Sequence, residues 1–161
     1  VRQEGNTLHS DWWMPGIAPP MVAQGLVPEG ETVDHWLRMR WNAPASMRLD
    51  VGACPHGAPE SAGFDLPQAH ILTPANARET HYFWTASRNH DLESPEVDGH
   101  MLGLFREAFD VEDKPMIEAA YTNVRGKDFW TEKPVSLGID QGGTRARRLL
   151  ESLIAQEAAG G

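Results

Sequence analysis

The chain has a single cysteine, Cys54, among its 161 residues. One thiol excludes an internal disulfide and any zinc or iron–sulfur site built from several cysteines of this chain. Basic residues are scarce too: 14 Lys and Arg stand against 23 Asp and Glu, for a formal net charge of −9. Nucleic acids and anionic membrane surfaces are gripped by clustered cations, so neither is an expected partner. The one local cluster, Arg145, Arg147 and Arg148, is too small to change that. No apolar run is long enough for a transmembrane helix, and no signal-peptide pattern opens the chain. No G-x-S-x-G and no glycine-rich phosphate loop is present, so hydrolase and nucleotide-enzyme readings lack their residues. Internal repeats are absent. The expected setting is reducing and cytoplasmic.

What is present suits one folded domain with a real core, since 40% of the residues are hydrophobic and six are tryptophan. Residues 1–11 are polar and without period, and Trp12 to Pro20 is apolar but broken by prolines, which predicts an irregular segment. From Thr32 the pattern changes. Val33, His35, Leu37, Met39 and Trp41 alternate with Asp34, Trp36, Arg38, Arg40 and Asn42, the mark of a half-buried strand. Ala43-Pro44-Ala45 turns the chain into a second strand, Met47 to Ala53, and a loop follows over residues 55–63. A third strand runs from Gln68 to Thr73. Pro74-Ala75-Asn76 then leads into a fourth, Thr80 to Ser87, dense in aromatic residues. The sheet is thus expected over about residues 32–90, as an antiparallel meander.

Helices are expected over about residues 95–158. Ser94 reads as an N-cap with Pro95 at the first helical position. That helix should run to about Asp110. Pro115 disfavours the α conformation at Lys114, which predicts a kink or break near residues 110–114 and a second helix from Pro115 to about Val124. A loop fills 125–140, and the last helix, residues 144–158, is apolar along Ala146, Leu149, Leu150, Leu153 and Ile154. The class is α+β, a sheet packed by helices from one side.

Two acids stand out. At ~100° per residue, Phe105, Ala108, Phe109, Met116 and Ala120 share one apolar face that Glu112 and Asp113 flank. Carboxylates are rarely buried unless paired or bound to metal. Asp113 therefore has two readings, a cap for the helix that starts at Pro115 or a hard oxygen ligand for a metal ion; Glu112 has the same two, with exposure favoured. The seven histidines are scattered, with no i,i+4 helical pair and no H-E-x-x-H run. His35 and His81 lie beside tryptophans on strands, where satisfied core or edge histidines are usual. His70, in the mostly apolar strand Gln68-Ala69-His70-Ile71-Leu72-Thr73, can instead offer a hydrogen bond to a cavity. Cys54 reads as a small buried residue.

Several stretches, taken together, are recognisable: His70-Ile71-Leu72-Thr73-Pro74, Thr80-His81-Tyr82-Phe83-Trp84 and Ser87-Arg88-Asn89. To these add Val33-Asp34-His35-Trp36, Arg40-Trp41-Asn42, Phe109 to Asp113, and Asp140-Gln141-Gly142-Gly143 followed by Arg147-Arg148. In this order they resemble the catalytic domain of Rieske non-haem iron oxygenases, in the vanillate and dicamba O-demethylase branch. The resemblance implies a helix-grip fold, with a curved antiparallel sheet closed around a pocket by helices. It implies a mononuclear Fe(II) held by two histidines and one aspartate, and the motif's aspartate falls on Asp113. His70 matches a position that faces substrate, where an imidazole can bond an aromatic carboxylate. Leu49 and Leu104 match nearby substrate positions that are polar or aromatic in relatives, so a more apolar pocket is implied.

In the family the two histidine ligands lie upstream of the sheet, in an Asn/Asp-x-x-His…His segment that these residues do not include. The Rieske domain, with its C-x-H and C-x-x-H pairs for a [2Fe–2S] cluster, is not included either. The resemblance therefore implies that residues 1–161 are the C-terminal part of an oxygenase α subunit, inactive alone. The intact protein would act on an aromatic substrate with O₂, take electrons from NAD(P)H through a reductase or ferredoxin, and form a homotrimer. The competing reading is a non-catalytic small-molecule binding module of the same helix-grip shape. An upstream coding sequence with the cysteine–histidine pairs and the two-histidine helix decides for the enzyme.

Overall fold

The computed structural model describes residues 1–125, 127, 130–132 and 134–160, so the expected loop over 125–140 falls partly outside the described residues. The chain divides into two compact units. Val1–His90 and Gly138–Gly161 form one, and Asp91–Leu137 the other.

The first unit is built on a six-stranded antiparallel sheet in which every strand pairs with its sequence neighbours, β1-β2-β3-β4-β5-β6. The strands are β1 (Arg2–Glu4), β2 (Thr7–Ile17), β3 (Val33–Asn42), β4 (Ser46–Pro55), β5 (Phe64–Pro74) and β6 (Thr80–Ala86). The four expected strands are present, with β5 starting earlier than its expected Gln68. The first seventeen residues correct the sequence reading. They are not irregular but supply β1 and β2, so the sheet begins at Arg2 rather than near residue 32. The cause lies at Pro15-Gly16. The register of β2 on β3 slips between Met14 and Ile17, and Gly16 takes a positive φ of 62°. A bulge of this kind accepts a proline within a sheet and breaks the alternation by which a strand is recognised.

Packing concentrates on the strands β3, β4 and β5. Trp36, Leu66, Val33 and Cys54 are the largest fully buried side chains. Burying a single large aliphatic side chain contributes about 1.5–3 kcal/mol. Trp36 is 2% exposed, lies parallel to Trp13 at 5.7 Å, and carries the Arg38 guanidinium 5.2 Å over its ring. Its other flank needs Gly52. A Cβ at Gly52 would stand 2.1 Å from Trp36 Cζ2, so no other residue fits under the indole as it lies. The last helix, α3 (Gln141–Gly160), belongs to this unit and begins three residues earlier than expected. It approaches β2 closely enough that a Cβ on Gly142 would lie 3.2 Å from Ser10 Oγ.

The second unit is helical. Its first helix, α1 (Pro95–Arg106), starts as expected: the Ser94 hydroxyl accepts the Val97 N–H at 3.3 Å, Pro95 opens the first turn, and Glu96 and Asp98 face the positive end of the helix dipole. The irregularity expected near 110–114 is present as a change of helix type, not as a break in the helix. Glu107–Asp113 is a π turn that runs directly into α2 (Lys114–Val124), and Asp113 and Lys114 both keep right-handed helical angles. Lys114 N–H bonds to Phe109 O, an i→i−5 bond. Pro115 explains the widening. It has no N–H for the Val111 carbonyl and its ring crowds that carbonyl, and a wider turn relieves both. No residue of α1, the π turn or α2 is buried. The face expected from a uniform 100° step does not persist: Phe105 and Phe109 stack at 5.9 Å, but Met116, beyond the π turn, is 70% exposed.

Candidate functional site

Antiparallel register puts directly opposed residues on one side of a sheet. One side of this sheet carries Arg38, Arg40, Arg48, Asp50 and Asp65 around the Trp13–Trp36 stack. The other is apolar, with Leu37, Met39, Met47, Leu49, Val51 and Leu66 in adjoining rows. Among the polar groups on that side are Gln68, His70 and Tyr82. Leu49 is opposite Gln68, and His70 lies between Met47 on β4 and Trp84 on β6. The structure thus brings together two of the sequence-predicted site residues, Leu49 and His70, on one face of adjacent strands.

His70 is 3% exposed, and its Nδ1 lies 2.6 Å from Tyr82 Oη. Burial pushes its pKa below the ordinary 6.5, so the ring is neutral near pH 7. For a base whose folded value is lowered, the unfolded chain takes up the proton first. This contribution to stability is full above 6.5 and is lost as pH falls through that value. Sequence reasoning did not single out Tyr82 or Gln68. The signal was available, because the alternation of β5 and the short turn to β6 set the register that puts Tyr82 within diagonal reach of His70.

The other predicted pair lies on the helical unit. Leu104 is half-buried on α1, and Asp113 is exposed at the last position of the π turn. The capping role weighed for Asp113 is not what its side chain does: it makes no cap hydrogen bond to α2. Glu112 is also exposed. Among the described residues no group of three or more His, Cys, Asp or Glu side chains could hold a metal ion, so these residues do not by themselves make an iron site. Asp113 offers one carboxylate.

A second aspartate is used quite differently. Asp34 is 6% exposed and accepts from Gly16 N–H at 2.9 Å and Gly57 N–H at 3.1 Å, while Oδ1 lies 2.6 Å from His56 Nδ1. The bond to His56, then those from the two backbone amides, hold its carboxyl below the usual 3.8. A group so held stabilises the fold above 3.8 and gives that up as pH falls through its lowered value. His35, as expected of a satisfied core histidine, places Nδ1 2.8 Å from Gly52 O. Cys54 is buried, its thiol pushed up chiefly by burial, so it is the small core residue the sequence suggested rather than a nucleophile. No helix is long and apolar enough to cross a membrane among the described residues.

The profile of the family described as the vanillate O-demethylase oxygenase C-terminal domain matches residues 1–156. The oxygenase component of chloroacetanilide N-alkylformylase from Rhizorhabdus wittichii is 30% identical over 158 residues, which is 98% of this chain and 45% of that protein. Among solved structures, dicamba monooxygenase bound to 3,6-dichlorosalicylic acid superposes with a TM-score of 0.84 at 30% identity, over 99% of this chain and 47% of that one. Dicamba monooxygenase with non-heme iron and dicamba gives 0.69 at 26% identity, over 99% and 49%. The chain spans less than half the length of these relatives.

Proposed function

The chain belongs to the vanillate O-demethylase oxygenase C-terminal domain family, and on that premise we propose that it is the substrate-pocket and iron-carboxylate part of a Rieske-type oxygenase. The intact protein hydroxylates or oxidatively O-demethylates an aromatic compound, using O₂ and electrons that reach it from NAD(P)H through a reductase or ferredoxin. Residues 1–161 are its C-terminal catalytic part, the [2Fe–2S] domain lies outside them, and the assembled enzyme is a cytoplasmic homotrimer.

Asp113 is a ligand of the mononuclear iron, and two histidines outside these residues complete the set. The observation that carries this is the π turn. It ends on a carboxylate that is exposed and not spent on capping the following helix, and π turns recur at functional positions in helices. Glu112 is a neighbour and not a ligand. On the sheet, His70 bonds an acceptor on the substrate and Leu49 gives it apolar contact; on α1, Leu104 does the same. With leucines at both positions the substrate is more apolar than one met by polar groups there.

The test is Asp113→Ala in the full-length protein. Mononuclear iron should be lost while the [2Fe–2S] absorbance is kept. Unchanged iron stoichiometry in that variant removes Asp113 from the ligand set.

A further inference from the structure

We propose that Tyr82 is a positioning residue for His70: its phenol donates to Nδ1, fixes the imidazole as the Nε2–H tautomer, and so makes this position select an aromatic substrate that bears a hydrogen-bond acceptor. The selection rests on the reading of His70 as a substrate contact; the tautomer does not. Tyr82 and His70 are diagonal neighbours on the apolar side of the sheet, since Leu72 stands opposite Tyr82 and Trp84 opposite His70. Diagonal neighbours lie within reach when the side chains are aromatic. Their rings stack at 5.8 Å with 19° between planes, which holds Tyr82 Oη 2.6 Å from Nδ1.

The direction of the bond follows from the two groups. A phenol oxygen shares its lone pair with the ring and accepts weakly, whereas a neutral imidazole has one sp² nitrogen that accepts well. The O–H therefore points to Nδ1. Burial keeps the ring neutral near pH 7, and a neutral ring has one proton for two nitrogens. With Nδ1 engaged as acceptor, that proton is on Nε2. The result is an N–H donor between Met47 and Trp84, on the side that also carries Leu49, Leu72 and Gln68. There a carboxylate, phenolate or carbonyl oxygen gains a hydrogen bond strengthened by low polarity, and an acceptor-free ring gains nothing.

Two measurements on the full-length protein test this: ¹⁵N shifts of labelled histidines, with His70→Gln to assign the signal, and binding of benzoate and of toluene. The wild type should show His70 as the Nε2–H tautomer. Tyr82→Phe keeps the ring and its stack, so folding is retained; it should give a mixture of tautomers, weaken benzoate by about fivefold to tenfold and leave toluene unchanged. An Nδ1–H tautomer in the wild type overturns the proposal. So does a Tyr82→Phe variant that keeps both the tautomer and the benzoate affinity. A Tyr82-dependent Nε2–H tautomer in a protein that binds neither probe overturns the substrate reading of His70 and leaves the hold of Tyr82 on the ring standing.

Discussion

Asp34 and Asp113 show how differently the two units use the same side chain. In the sheet unit Asp34 is buried and takes two backbone N–H groups and a histidine, joining the β2 bulge, β3 and the turn after β4. In the helical unit Asp113 is exposed and leaves the start of α2 uncapped. The contrast extends to everything around them. The sheet unit holds every fully buried side chain among the described residues, and α1, the π turn and α2 hold none. An acid that a fold fully employs is not available for chemistry. One that sits on a helical run with little packing of its own is cheap for the fold to commit to a ligand.

If that contrast is right, the largest loss of stability follows from emptying the centre of the sheet unit. Trp36→Ala should cost about 3–5 kcal/mol in urea unfolding; a loss under about 1 kcal/mol would mean that the stack on Trp13 is a surface ornament. Gly52→Ala comes next, at about 1–3 kcal/mol, because the new methyl meets the indole. An unchanged midpoint would show that Trp36 moves aside freely. In the helical unit the equivalent change is smaller. Ser94→Ala removes the N-cap of α1 and should cost about 1 kcal/mol of helix stability, read by far-ultraviolet circular dichroism during melting. A cost above that of Gly52→Ala would reverse the ranking of the units. Smallest of all is Asp113→Ala, whose effect on folding should stay within about 0.5 kcal/mol. Pronounced destabilisation would make Asp113 a structural residue like Asp34.

The same difference decided what the sequence could reveal. β3 was legible because Val33 to Asn42 obeys the period of two without interruption, and its ten residues are found as read. β2 was not, because Pro15, Gly16 and the tandem Trp12-Trp13 disturb that period where the bulge lies. The N-cap at Ser94 depends only on local chemistry and was readable. Pro115 likewise marked an irregularity near 110–114, but not its form as a π turn: a count at 3.6 residues per turn assumes the bond pattern that Pro115 prevents, and this misplaced Met116 on an apolar face. Of the candidate site, Leu49 and His70 came together because alternation fixes faces. The partner of His70 required a cross-strand diagonal that a single strand does not display.

The π turn also marks where the chain has slack in its length. A one-residue deletion in a strand throws every later side chain to the opposite face. Within Glu107–Asp113 the same deletion lets the backbone close in ordinary i→i−4 bonds, and because the wide turn carries one residue more than an α turn, regular hydrogen bonding continues into α2 with the helix beyond it nearly in phase. The wide turn therefore behaves like an expansion joint: one codon lost there is taken up within the turn, and neither α2 nor the sheet has to change its hydrogen bonding.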